Sequence, residues 1–357
     1  MEPDRPWTPD WDGIEVRVQK SWGVSVRQRH PLGFIDTIFR HFPYDTFPRS
    51  VAYGPDVIVS AQLGFRTAQA VLYRKIFRRS RLVIWVDVSE HTELSVGHAR
   101  TALRRLLLRA ADMVLVVGSS GGRYVRRLGV PPERIVEIPH VTDPGPFRTQ
   151  SLQRDRESER RLLYVGQLIE RKGVAPFVNE LVIWAERHPQ QKAELWLLGD
   201  GPLRRELESI KIPPGLTVKF LGNVSYGSLS DIYAQAGICV LPTLADTWAL
   251  VVNEALAAGL PVIGSLYSQA VEDLICNGEN GWTYFPDKPG QAQKVLDALF
   301  STPSEKLARM REAARASASY LTPEYASELF LKAIALAASS SGGAPPFVTS
   351  FVSKEES

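Results

Sequence analysis

Two carboxylates in this sequence have a spacing that would suit the binding of a sugar. Asp246 follows an apolar run that ends at Pro242, and Glu254 comes after seven intervening residues, within a stretch composed for burial. A buried carboxylate needs hydrogen-bond partners, and sugar hydroxyls would supply them. The alternative is that Asp246 only caps a helix, which is worth about 1 kcal/mol, and that Glu254 lies on a solvated helix face.

Other residues offer chemistry that is ambiguous when each is taken alone. Lys172 precedes Gly173 and a helix-like segment, and a lysine beside a helix N-terminus provides what a diphosphate requires. The same lysine could instead be a solvated loop residue. The Gly-Ser-Ser-Gly-Gly run at 118–122 could bind an anion or form a simple turn. The loop at Asn223 could offer free backbone groups to a flat base.

Short β-branched and apolar runs alternate with amphipathic segments along the chain. Strands are predicted at 57–61, 82–88, 113–117, 162–166, 195–199, 217–221 and 238–242, and helices at 97–111, 121–128, 174–188 and 250–258. Such alternation predicts α/β domains in which helices cover parallel sheets. Ligands of open parallel sheets bind beyond the carboxyl ends of the strands, which is where the lysine and both carboxylates fall.

The length of 357 residues favours two domains, because single cores stop growing near ~250 residues. A polar stretch at 150–160 is typical of a linker between domains. We therefore predict a first domain over 1–157 and a second over 158–322. A helix over 323–338 is predicted to pack back toward the first domain, and the Ser-, Gly- and Pro-rich tail at 339–357 is predicted to be disordered.

Charge is distributed unevenly along the chain. Residues 1–150 contain 22 basic and 15 acidic side chains, whereas the remainder contains 20 and 24. The basic clusters could be solvated helix faces, or a surface that rests on anionic lipid or meets an anionic acceptor. No nucleic-acid-binding signature accompanies them, so no nucleic-acid partner is predicted.

Cysteine content and hydropathy predict a cytoplasmic protein. The two cysteines give no disulfide framework and no pair at metal-ligand spacing. The start of the chain lacks the pattern of a secretory signal. No run reaches the ~18 to 20 apolar residues that span a bilayer. Peripheral contact with the inner membrane surface through the basic half stays open.

Four motifs in order and at matching spacing resemble the sugar-donor domain of the GT-B, family 4 type of retaining glycosyltransferases. They are Gly166-Gln167-Leu168 with Lys172-Gly173, Gly199-Asp200-Gly201-Pro202, Asp246 to Glu254 with the following residues 255–262, and Ser268 to Glu272 with Asn280-Gly281. The motifs span about a third of the chain, from 162 to 285. The resemblance implies two Rossmann-like domains facing a cleft.

Carried over by position, the resemblance assigns roles to named residues. Lys172 would neutralise the diphosphate of the sugar donor, in the loop that begins with Gly166 and Gln167. Asp246 would hold hydroxyls of the transferred sugar, and Glu254 those of the ribose. The remaining expected contacts are a phosphate cradle at Thr247, Trp248, Ala249 and Leu250, a base site at Asn223 and Val224, and a contact from His91, or from Glu90 in its place, to the sugar. A capping loop is the alternative for His91.

The resemblance further implies transfer with retention and without a protein nucleophile. The sugar donor would be a UDP-, GDP- or ADP-sugar, and the acceptor a glycan, a lipid-linked molecule or a small molecule. Cations and helix N–H groups would stabilise the charge that develops on the diphosphate. No Asp-x-Asp motif occurs in a strand-end loop, so no metal and no cofactor are predicted.

Several departures from the family pattern leave other functions open. Gln167 replaces an arginine, Asp246 is shorter than the usual Glu, and Ser268 and Gln269 replace a glycine pair. Thr247 and Ala249 also replace glycines, and residues 1–33 contain no Gly-rich loop. A non-catalytic sugar-nucleotide-binding or scaffold protein is one alternative. A sugar-nucleotide epimerase is another, and it would convert the sugar donor without an acceptor.

Overall fold

The computed structural model describes residues 13, 15–94 and 96–339. The first domain contains an antiparallel hairpin and a four-stranded parallel sheet of order β3-β4-β5-β6. Its strands are β1 (Ser21–Arg29), β2 (Ile35–Pro43), β3 (Val57–Ala61), β4 (Arg81–Val86), β5 (Met113–Val116) and β6 (Ile135–Glu137). Its helices are α1 (Thr46–Tyr53), α2 (Phe65–Ile76), α3 (His98–Arg109) and α4 (Ser119–Arg127).

The second domain is built on a six-stranded parallel sheet of order β12-β11-β10-β7-β8-β9. Its strands are β7 (Leu162–Val165), β8 (Ala193–Leu198), β9 (Leu216–Gly222), β10 (Ile238–Leu241), β11 (Val262–Ser265) and β12 (Gly281–Tyr284). The helices around it are α5 (Gly145–Arg148), α6 (Val174–Arg187), α7 (Arg204–Ser209), α8 (Leu229–Gln235), α9 (Leu250–Ala257), α10 (Gln269–Leu274), α11 (Gln291–Ser301) and α12 (Ser304–Ser317). The central strands read as continuous apolar runs because helices cover both faces of the sheet.

The C-terminal helix α13 (Pro323–Ser339) leaves the second domain and packs on the sheet of the first. Ala333 and Ala337 are fully buried in a cluster with Met113 and Leu115. Their small side chains let the helix approach the strands closely. The Phe330 ring lies 5.7 Å from that of Trp85, which extends the contact.

The segment between the two sheets packs mainly on the second domain. Phe147 is buried, and its ring meets that of Tyr233 edge-on at 5.4 Å. Arg154 donates a hydrogen bond of 2.6 Å to the carbonyl of Ala236. A domain boundary after residue 157 stays a prediction.

The α/β class with two Rossmann-like domains is confirmed, and the predicted strands lie within one or two residues of the observed ones. The hairpin β1–β2 was not predicted. It stands where the family pattern would place a strand and a Gly-rich loop, and most of β1 is exposed. Within the described part of the chain, no helix is long and apolar enough to cross a membrane.

Candidate active site

A 3-10 turn, Glu170–Lys172, follows β7 and places Lys172 beyond the carboxyl end of that strand. Gly173 next to it has φ +66°, and a Cβ there would collide with the carbonyl of Pro242. Glycine is therefore needed for the turn to lie against the loop after β10. The Arg171 carbonyl accepts a hydrogen bond of 2.9 Å from the backbone N–H of Leu244, which fastens the two segments together.

Lys172 and Asp246 form an ion pair, with Nζ 2.6 Å from Oδ2. Asp246 is 7 % exposed, and its backbone N–H donates to the carbonyl of Tyr267 at 3.0 Å. The N-cap of α9 is Ala249, so the alternative that Asp246 caps this helix is wrong. The pair places a cation and a carboxylate side by side at the carboxyl ends of β7 and β10.

Glu254 lies in α9 and is 6 % exposed, so a solvated position is excluded. Burial raises the pKa of its carboxyl from an ordinary value of 4.5 to about 7, and the hydrogen bond from Tyr233 acts in the opposite direction. The Tyr233 hydroxyl donates to Oε2 at 2.9 Å. A ligand that offers hydroxyl donors here would favour the ionised carboxylate.

The start of α9 has Ala249 at its N-cap and therefore no side-chain cap. The loop before α9 is tied to the helix, because the indole N–H of Trp248 donates to Oδ1 of Asn253 at 3.0 Å. Asn253 in turn donates to the carbonyl of His140 at 2.8 Å. The first N–H groups of a helix without a cap, here from Leu250 onward, are the groups that bind a phosphate.

The predicted base and loop residues lie at the ends of neighbouring strands. Asn223 and Val224 are exposed directly after β9. The Gln167 side chain is exposed, and its backbone carbonyl accepts a bond of 2.7 Å from the Tyr164 hydroxyl. Gly166 has φ +150°, a backbone conformation that favours glycine. All these residues belong to the same edge of the sheet as Lys172.

His91 comes from the loop after β4 and reaches the second domain. Its ring centroid lies 4.6 Å from that of Tyr267, whose carbonyl binds the Asp246 backbone. Burial lowers the pKa of His91, partly opposed by the Glu90 carboxylate. His91 packs against Tyr267, the residue whose carbonyl holds the backbone of Asp246.

The turn of the hairpin β1–β2 also contacts both domains. The imidazole Nε2 of His30 lies 3.0 Å from the carbonyl oxygen of His91. The backbone N–H of Ile35 donates to Glu170 at 3.2 Å, beside Lys172. Sequence reasoning missed this element; the His-Pro-Leu-Gly-Phe run at 30–34 was its only turn signal.

A polar interface joins α4 of the first domain to α10 of the second. Arg123 pairs with Glu90 at 2.7 Å and with Glu272 at 2.6 Å. The N–H of Ser119 donates to Asp273 at 3.0 Å. The glycine-rich start of α4, considered as an anion site or a simple turn, is thus capped by a carboxylate of the other domain. Among the described residues, no group of three or more His, Cys, Asp or Glu side chains could hold a metal ion.

Two parallel-stranded α/β domains that meet at a cleft define the GT-B class of proteins. Residues 159–301 match the family described as glycosyl transferases group 1, and residues 2–140 match the glycosyl transferase 4-like domain. The chain therefore belongs to the GT-B, group 1 glycosyltransferases.

Three relatives illustrate the similarity. The sulfoquinovosyl transferase SQD2 of Arabidopsis thaliana is 26% identical over 69% of this chain and 49% of its own length. A glycogen synthase of Mycobacterium tuberculosis is 27% identical over 63% of this chain and 53% of its own. The Anabaena protein HepE, crystallised with UDP, superposes with a TM-score of 0.64 at 19% identity over 80% of each chain. The chain spans about half the length of these two curated relatives.

Proposed function

We propose that this chain transfers a sugar, with retention, from a nucleoside-diphosphate sugar to a glycan, lipid-linked or small-molecule acceptor. The observation that carries the proposal is the Lys172–Asp246 pair, 2.6 Å apart, whose carboxylate lies in the loop that leads to the start of α9. The UDP bound to HepE supports a nucleotide ligand for this fold.

The cleft offers the interactions that departure of a diphosphate needs. Negative charge develops on the leaving group, and the Lys172 ammonium together with the first N–H groups of α9 would stabilise it. One such preorganised donor is typically worth about 2.7 to 4 kcal/mol in the transition state. Asp246 would orient the sugar hydroxyls as Lys172 turns to the phosphate, and Glu254 would hold the ribose. We propose that these groups act without a metal ion, so EDTA should leave the rate unchanged.

A panel of UDP-, GDP- and ADP-sugars tests the proposal, with release of the nucleotide as the measured signal. Lys172→Ala should lower kcat about a hundredfold, by the magnitude expected for one transition-state donor. Lys219→Ala is the matched control, because Lys219 pairs with Glu194 at 2.6 Å within the strands and away from the loops at their carboxyl ends. Proton NMR of the first product formed would report retention or inversion.

The alternative of a non-catalytic sugar-nucleotide-binding or scaffold protein rests on Gln167 in place of an arginine and on the lack of a Gly-rich loop in residues 1–33. It would be favoured if nucleotides bind and no sugar nucleotide in the panel is turned over with any acceptor class. Equal turnover by Lys172→Ala and wild type would instead contradict the proposal that Lys172 binds the diphosphate.

We also propose that the first domain rests on an anionic membrane through the hairpin β1–β2. What supports this is one hairpin face on which Trp22 pairs with Phe42 and Val24 with Arg40. Trp22 is 69 % exposed, and aromatic side chains beside basic ones favour the headgroup region. Trp22→Ala should weaken cosedimentation with phosphatidylglycerol vesicles, whereas Tyr320→Ala, an exposed aromatic of the second domain, should not. Equal sedimentation of both variants would contradict the proposal.

A further inference from the structure

Gln269 makes buried polar contacts between the two domains. Its side chain, at the start of α10, is 1 % exposed. Its Nε2 donates to the carbonyl of Val88 in the first domain at 2.9 Å, and to the carbonyl of Thr247 in the second at 2.7 Å. Its Oε1 accepts from the N–H of Gly121 at 2.6 Å. Both N–H donors and the amide oxygen are therefore in use.

The chemistry of these partners fixes the orientation of the amide. Two carbonyls require the NH2 group, and one N–H requires the oxygen, so a flipped amide would lose all three bonds. Thr247 directly follows Asp246 and precedes the start of α9. One side chain thus ties the loop that carries the proposed sugar-binding carboxylate to two backbone positions of the opposite domain.

Around Gln269, α10 of the second domain lies close to α4 of the first, and the bonds between the two helices are polar. A Cβ at Gly118 would lie 2.6 Å from Asp273 and 3.1 Å from Gln269, so glycine lets α10 approach α4. The neighbouring bonds are also polar, from Arg123 to Glu272 and from Ser119 to Asp273. Polar interfaces between domains of one chain are of the kind that opens and closes.

We propose that Gln269 is a positioning residue that sets the loop 246–248 only when the two domains are closed on each other. Opening breaks the bonds to Val88 and Gly121, and the remaining bond to Thr247 no longer has a fixed direction. The position of the Asp246 carboxylate then depends on closure, whereas the start of α9 is also held by the bond from Trp248 to Asn253 within the second domain. The expected effect on turnover rests on the proposed function, whereas the effect on closure does not.

The test compares Gln269→Ala and Gln269→Glu with Gln293→Ala. Gln293 is a buried glutamine that donates to the backbone and the side chain of Glu180, both at 2.7 Å, entirely within the second domain. Gln269→Glu keeps the length of the side chain but directs a carboxylate at two carbonyls. Gln269→Ala should lower kcat about tenfold to a hundredfold, as expected for the loss of two or three hydrogen bonds. UDP affinity should change less than about threefold, since the proposed nucleotide contacts lie in the second domain.

Small-angle scattering with and without UDP supplies the second measurement. Gln269→Glu should have a larger radius of gyration than wild type, and Gln293→Ala should match wild type in both scattering and kcat. Unchanged scattering by Gln269→Glu, or an equal loss of kcat in Gln293→Ala, would overturn the positioning role. If the wild type transfers no sugar, the proposed function has failed, and the scattering alone then decides the role of Gln269.

Discussion

Glu254→Gln is the substitution that most directly tests the buried carboxylate. A pKa raised by burial from 4.5 to about 7 corresponds to roughly 3 kcal/mol, at about 1.4 kcal/mol for each pH unit. Native Glu254 binds its proton more tightly than the unfolded chain does. Its contribution to stability is therefore fully present below pH 4.5 and is lost as the pH rises through about 7.

Glutamine cannot ionise, so the variant escapes this loss. Thermal unfolding without ligand should give nearly equal Tm values at pH 5 and a higher Tm for Glu254→Gln at pH 8. The difference should be about 2 °C or more for each kcal/mol in a domain of this size. Other titrating groups are common to both proteins and cancel in the comparison.

Nucleotide binding by the wild type should become tighter as the pH rises, whereas its stability falls. Ribose hydroxyls donate to the ionised carboxylate, so UDP binding must remove the proton from Glu254. The affinity of the wild type should therefore rise by up to about tenfold per pH unit below pH 7 and level off above it. In Glu254→Gln the affinity should be weaker at pH 8, by about tenfold or more, and should lose the part of the pH dependence that is due to Glu254.

Tyr233→Phe is the control. It removes the hydrogen bond that lowers the pKa of Glu254, so the pH dependences of Tm and of UDP affinity should both move to higher pH. Equal Tm values of Glu254→Gln and wild type at pH 8 would refute the assignment of an ionisation cost. Equal UDP affinities at pH 8 would refute the ribose contact.

Three further results are expected. His91→Ala should lower kcat at least about tenfold, the scale of one hydrogen bond to the reacting sugar, with UDP affinity retained; His188→Ala, a histidine held by the carbonyl of Trp184, should match wild type in the same assay. Gly173→Ala should lower the free energy of unfolding by about 1 to 2 kcal/mol for its backbone conformation alone, and by more through the clash with Pro242, measured by urea titration. Ala333→Leu should cost about 1 to 3 kcal/mol in the same titration through overpacking.

The sequence predicts the second domain better than the first, for a physical reason. The strands β7, β8 and β10 of the second sheet are mostly buried, so their apolar composition marks them. Strands β11 and β12 are buried as well but were not predicted. The hairpin β1–β2 is mostly exposed, and its composition carries little of that signal. Its contacts to His91 and Glu170 depend on tertiary structure, which no local pattern encodes.

The candidate site was also predicted only in part. Lys172 and Asp246 follow the ends of neighbouring strands, and the parallel sheet brings them together, whereas Glu254 lies further along, inside α9. The Lys172–Asp246 pair was not predicted, since each residue was given a separate ligand group. Tyr233 was missed as the partner of Glu254 because it lies on another helix and is buried like any core tyrosine.

The charged groups of the candidate site are balanced by groups of the protein itself. Lys172 is neutralised by Asp246, and at pH values below about 7 Glu254 holds a proton. A diphosphate would compete with Asp246 for the ammonium and so release that carboxylate toward the sugar, while the ribose would draw the proton from Glu254. Both carboxylates would then be available to accept hydrogen bonds from sugar hydroxyls only when the sugar donor is present. After closure, contact with the first domain through Gln269 would fix one of the two carboxylates, Asp246, in place. Before closure, the groups that bind the sugar would not be in position, which would disfavour hydrolysis of the sugar donor by water.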